Sequence, residues 1–112
     1  LRAGDFKRLE DSLLNQAVPR DLMRDTKAAL RNPDNRKLAT QYPENLPAAM
    51  ENLRRVWAAG IDVVTGSDAG NPLVFHGPTV QTELELWVKA GIPPEKAIEA
   101  ATRTAARLLG QG

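Results

Sequence analysis

Cysteine is absent from this 112-residue chain, which excludes disulfides, thiolate metal sites and cysteine nucleophiles together. It leaves the redox compartment undetermined. No apolar run approaches the eighteen or so residues needed to span a bilayer, so the sequence predicts no membrane partner. Neither sign of charge dominates: 15 basic side chains stand against 14 acidic ones, scattered rather than gathered into a stripe, and no nucleic-acid partner is expected. Low-complexity tracts and internal repeats are missing. Also missing are an initiating Met and a basic-then-apolar leader, and Leu1-Arg2-Ala3-Gly4-Asp5 reads as the interior of a longer polypeptide.

What is present is the composition of a globular domain, 42% hydrophobic and 26% charged. Phe6, Leu9, Leu13 and Leu14 recur at helical intervals and predict an amphipathic helix from Asp5 to about Ala17. Pro19 opens a second helix carrying Leu22, Met23, Thr26 and Leu30, with a stop expected near Asn32-Pro33-Asp34-Asn35. The polar stretch 31–45 reads as a surface connection pinned by Leu38 and Tyr42. Pro47 then starts the clearest helix, with Leu46, Ala49, Met50, Leu53, Val56 and Trp57 on one stripe and Gly60 as its stop. Arg54 and Arg55 belong to its solvated face.

The run Ile61-Asp62-Val63-Val64-Thr65 is β-branched and predicts the chain's one strand. A loop rich in Gly and Pro follows to Pro78, and a helix resumes near Thr79 with Val80, Leu84, Trp87 and Val88 on one face. Trp57 and Trp87 read as core. Gly91 stops that helix, Pro93-Pro94-Glu95 begins another through Ala97, Ile98 and Ala101, and Thr102 or Thr104 caps a last one ending at Gly110.

One strand cannot satisfy its own backbone, so its neighbours must come from elsewhere. Closely flanking helices make the unit α-β-α, as in a parallel sheet. The alternative is an all-helical domain in which 61–65 is a buried extended linker. In the sheet reading, Gly66-Ser67-Asp68-Ala69-Gly70 sits at the strand's carboxyl end, where α/β folds place ligands and catalytic groups. Asp68 there can ligate a metal or accept a proton from water; an ordinary Asx-turn competes with that reading. A nucleophile elbow does not fit, because Asn71-Pro72 and Gly77-Pro78 delay the following helix. A phosphate loop lacks its Gly-Lys-Ser/Thr ending. His76 is the only histidine and suits acid-base work, substrate contact or metal ligation, although a lone loop histidine is more often a surface or packing residue.

From Asn45 to Gly110 the order Glu51-Asn52-Leu53-Arg54-Arg55, Ala58-Ala59-Gly60-Ile61, Gly66-Ser67-Asp68-Ala69-Gly70-Asn71-Pro72, Phe75-His76-Gly77-Pro78, Glu83-Leu84-Glu85-Leu86, Ala90-Gly91-Ile92 and Ala100-Ala101-Thr102-Arg103 resembles the metal-dependent amidohydrolase superfamily, in its imidazolonepropionase-related and prolidase-like branch. The resemblance implies an α/β fold in which this chain is a piece of a (β/α)8 TIM-type barrel, mostly helical, with the last barrel strand near 61–65. Residues 1–44 would be a variable helical region before that strand, and 45–112 the last αβα portion. It implies a hydrolase of amide or cyclic amide C–N bonds that uses a divalent metal, zinc first. Asp68 would be both catalytic carboxylate and metal ligand, and His76, Asn71 and Gly77 would bind a small-molecule amide substrate. The family's His-x-His pair, middle-strand lysine and later histidines have no counterpart here, and a whole barrel needs roughly 250 residues. These residues alone are therefore expected to hold no metal and to be inactive, their partner being the remainder of the barrel; a homo-oligomer stays open. The alternative function is a free-standing helical interaction module without catalysis.

Overall fold

A computed structural model describes residues 6–40, 45–70 and 74–111. After a 3-10 turn at Phe6–Glu10, the helices are α1 (Ser12–Ala17), α2 (Arg20–Ala29), α3 (Pro33–Thr40), α4 (Leu46–Ala58), α5 (Pro78–Lys89), α6 (Pro94–Ala101) and α7 (Arg103–Leu108). The chain divides into two compact units, one formed by Leu1–Leu46 with Asp68–Thr79 and the other by Pro47–Ser67 with Val80–Gly112.

The helices begin and end where local chemistry dictates. Asp11 accepts hydrogen bonds from the Leu13 and Leu14 amides at 2.8 and 3.1 Å, a side-chain cap that starts α1 and splits the single expected helix over 5–17 in two. Asn32 accepts from the Asp34 amide at 2.9 Å, and Pro33 behind it occupies the first turn of α3. The stretch expected to be a surface connection is thus partly helical. The same Asn-Pro pair that ends one helix begins the next. The Leu38 side chain and Tyr42, its expected pins, lie outside the described residues.

At the far end of α5, Gly91 takes φ +97° and donates to Val88 O while Ile92 N–H reaches back to Trp87 O at 3.1 Å. That pairing satisfies the orphan carbonyls of the last turn and requires a left-handed residue that glycine adopts without strain. It also brings the Ile92 side chain onto Trp87. Both are buried with Ala97 and Ala100, and Leu53, Val63 and Leu84 pack against them, making the core of the second unit. Ile92 is only 1% exposed, a burial contributing about 1.5–3 kcal/mol. The first unit closes around Leu9, Leu14, Val18, Met23, Leu30 and Phe75. Trp57, expected in a core, is 37% exposed.

The expected barrel strand is not there. Residues 61–68 carry no regular pairing, and among the described residues no strand forms; Ala69 alone makes a one-residue bridge. The α/β reading, a piece of a (β/α)8 TIM-type barrel with its last strand at 61–65, is therefore corrected to a helical architecture. The reason is physical. β-branched residues favour an extended backbone but cannot supply the neighbouring edge that a ladder needs. Here the run is an irregular connection between α4 and the loop, with Val63 packed on the helices and Ile61 57% exposed. Arg107 of α7 reaches Asp62 at 3.4 Å, a second tie within the same unit.

Candidate functional site

The residues on either side of Asp68 make hydrogen bonds within their own units. Gly66 N–H donates to Glu83 Oε1 on α5 at 2.9 Å, and Gly70 N–H donates to Val74 O at 3.3 Å. Thr79 Oγ1 donates to Phe75 O at 2.5 Å, which closes the loop onto the first turn of α5. Phe75 itself is buried in the first unit's core and holds the loop by its side chain. Within the first unit, the stretch from Gly70 to Thr79 is thus held by two hydrogen bonds and one apolar anchor.

Asp68 has φ +53°, and it is the only non-glycine residue with positive φ among the described residues. The left-handed region is unfavourable for most L-residues and tolerated best by Asn and Asp. The aspartate's side chain is exposed to solvent. His76 is also exposed, and its Nε2 lies 3.8 Å from where a β-carbon would stand on Gly70, whose own φ is +102°. The loop therefore folds back so that the chain's single imidazole lies against the turn that begins with Asp68. Gly77, also expected to touch substrate, follows at φ +86° and is exposed. Asn71, the remaining expected substrate contact, lies outside the described residues.

Among the described residues no group of three or more His, Cys, Asp or Glu side chains gathers to hold a metal ion. A catalytic zinc site takes three protein ligands and an open position. One carboxylate and one imidazole are fewer than that number. No helix among the described residues is long and apolar enough to cross a membrane.

Two residues escaped the sequence reading of this region. Glu83 was visible only as one of two acids on α5; its distance of 17 residues from Gly66 gives no periodic signal. Thr79 at the start of a helix is a recognisable local hydrogen-bonding position, and its hydroxyl does serve the loop. Comparison with family models, with curated proteins and with solved structures finds no match to this chain.

Proposed function

We propose that these residues contribute one carboxylate and one imidazole to the site of a metal-dependent hydrolase that cleaves amide or cyclic amide C–N bonds. The observation that carries the reading is the Asp68 backbone, held at φ +53° in a turn flanked by Gly66 and Gly70. A non-glycine residue kept in a sparsely populated conformation costs of order 1–3 kcal/mol, and such residues cluster at functional sites. The resemblance of the stretch 45–110 to amidohydrolases supplies the reaction class.

In this reading Asp68 takes a proton from water as the water oxygen attacks the amide carbon, then returns it to the departing nitrogen as the C–N bond breaks. A carboxylate within reach of the attacking water can carry out both transfers as a general base and then a general acid. His76, lying against Gly70, contacts the substrate. Asp68 is also a metal ligand in this reading, and the remaining ligands come from polypeptide outside these residues, since no group of three or more gathers among the described ones.

A test is amide hydrolysis by the longest natural polypeptide containing this sequence, supplied with zinc, as wild type and as Asp68→Asn. The substitution keeps the shape and the tolerance for left-handed backbone while removing the proton acceptor. Turnover lower by at least about a hundredfold supports the assignment; wild-type turnover sinks it.

A second reading, a helical interaction module without catalysis, is favoured by one observation. Each of the two units closes an apolar cluster of its own, with no sheet among the described residues. In that case neither Asp68→Asn nor His76→Ala alters any hydrolytic activity.

A further inference from the structure

An exposed side chain on a loop has no fixed direction unless the backbone beneath it is held. His76 is exposed, yet its Nε2 lies 3.8 Å from the β-carbon position of Gly70, a residue of the same compact unit. Three contacts within that unit bear on the backbone at His76. Phe75, immediately before it, is 4% exposed and sits in the unit's apolar core. Val74 O accepts from Gly70 N–H at 3.3 Å, which ties the stretch before His76 to the turn its ring lies against. Thr79 Oγ1, on the first turn of α5, donates to Phe75 O at 2.5 Å.

The third contact acts closest to the imidazole. Phe75 C=O belongs to the peptide that joins Phe75 to His76, and a peptide unit is planar, so a bond on its oxygen sets the plane from which the His76 α-carbon departs. The buried Phe75 ring fixes where that plane begins, and the Thr79 hydroxyl fixes how it is turned. Threonine hydroxyls bond nearby main chain readily. Here the carbonyl bonded is the one that leads into His76. We propose that Thr79 is a positioning residue whose hydroxyl bond to Phe75 O holds the His76 imidazole against the Gly70 turn, where His76 meets the substrate. Its consequence for substrate binding rests on the hydrolase reading, whereas the placement of the imidazole stands apart from it. Thr79 itself touches no substrate.

The experiment compares Thr79→Val, which keeps the branched shape and removes the hydroxyl, with Thr79→Ser, which keeps the hydroxyl. On the protein itself, NMR reads the nuclear Overhauser contact between the His76 ring protons and the Gly70 α-protons, and the methyl signals of Leu14 and Met23 report on the unit's core. Expected is loss of the ring contact in Thr79→Val with the core signals unchanged, and retention of both in Thr79→Ser. Turnover is read in the longest natural polypeptide that contains the sequence. There Thr79→Val raises KM about threefold to tenfold, the worth of one hydrogen bond, with kcat within about twofold, and Thr79→Ser stays near wild type. Added to His76→Ala, Thr79→Val raises KM no further, because its effect runs through the imidazole. A full ring contact in Thr79→Val overturns the proposal whatever the activity does, as does a Thr79→Ser protein that loses the contact. Loss of the core signals in Thr79→Val overturns it too, since the hydroxyl then serves the unit at large, and so does an undiminished Thr79→Val effect in the His76→Ala background. Failure of the hydrolase reading shows separately, as an Asp68→Asn protein with undiminished turnover, and the ring contact then decides the placement on its own.

Discussion

The Nε2 atom of His76 lies over Gly70, 3.8 Å from the place where a β-carbon would stand. That separation is ordinary van der Waals contact, so the added methyl of Gly70→Ala has room beside the imidazole. The backbone does not allow it equally: φ is +102°, far from what an alanine adopts. Gly70→Ala is therefore expected to cost about 1–3 kcal/mol from conformation rather than from crowding. Urea unfolding of Gly70→Ala alone and in combination with His76→Ala separates the two. If removing the imidazole relieves the cost, crowding is the cause and the backbone argument is wrong.

The same reasoning gives Asp68 opposite outcomes for two substitutions. Asn shares the tolerance of Asp for the left-handed region, and Asp68→Asn should unfold within about 0.5 kcal/mol of wild type. Asp68→Ala loses that tolerance and should be destabilised by about 1–2 kcal/mol. Denaturant midpoints of the two variants check the order. An alanine variant as stable as the asparagine one would mean that the left-handed backbone is not held in solution.

How much of this was legible beforehand differs from residue to residue. Gly60, Gly91 and Gly110 mark helix ends in the sequence and all have positive φ, because a left-handed closing residue is a local demand. Met23, Leu30 and Trp87 are buried as their spacing suggests, whereas Trp57, at an equally good spacing on α4, is left partly exposed. Periodicity tells which residues share a face, but burial depends on what packs on that face. Ile61 to Thr65 misled for a related reason. Its composition speaks for an extended backbone; pairing depends on residues elsewhere in the chain, which no local pattern contains. For the candidate site, Asp68 and His76 stood out by residue type, while the bond from Glu83 to Gly66 depends on a fold that residue type does not encode.

The charged pairs on α4 and α6 predict a pH response. Hydrogen bonds from Arg54 and Arg55 hold the Glu51 carboxyl down at about 2, and those from Lys96 and Arg103 do the same for Glu99. A folded-state pKa below the unfolded one, near 4.3, means that the stabilising contribution is complete above the unfolded value. It is lost as pH falls from there through about 2. Helix content and melting temperature should therefore decline over that window, less so in the Glu51→Gln, Glu99→Gln double variant and less so at high salt, since both carboxylates are on the surface. Thermal melts followed by circular dichroism across the range give the answer. A double variant that declines as steeply as wild type would place the acid sensitivity on other carboxylates.

Two isoleucines, one in the α5–α6 connection and one on α6, test which apolar surfaces are covered. Ile92 is 1% exposed against Trp87, Ala97 and Ala100, and Ile92→Ala should cost about 2–5 kcal/mol by lost burial and the cavity left behind. Ile98, one helix further on, is 57% exposed, and Ile98→Ala should change stability by no more than about 0.5 kcal/mol. Chemical denaturation of both variants reads the contrast directly. A large loss from Ile98→Ala would show that its face is covered in solution.

The last expectation concerns the connection that replaces the strand. Among the described residues the amide of Ile61 reaches Val56 O at 3.4 Å, closing α4, and no ladder bond follows from Asp62 to Thr65. Amides without a hydrogen-bond partner exchange with solvent quickly, whereas those in the interior of α4 open only when the helix does. Asp62 to Thr65 should therefore exchange far faster than Leu53 to Trp57, even though Val63 is packed against the core by its side chain. Side-chain packing slows the segment's motion without sealing its backbone from water. Exchange at Val63 and Val64 as slow as in α4 would require a hydrogen-bonding partner along this run, which the helical architecture does not provide.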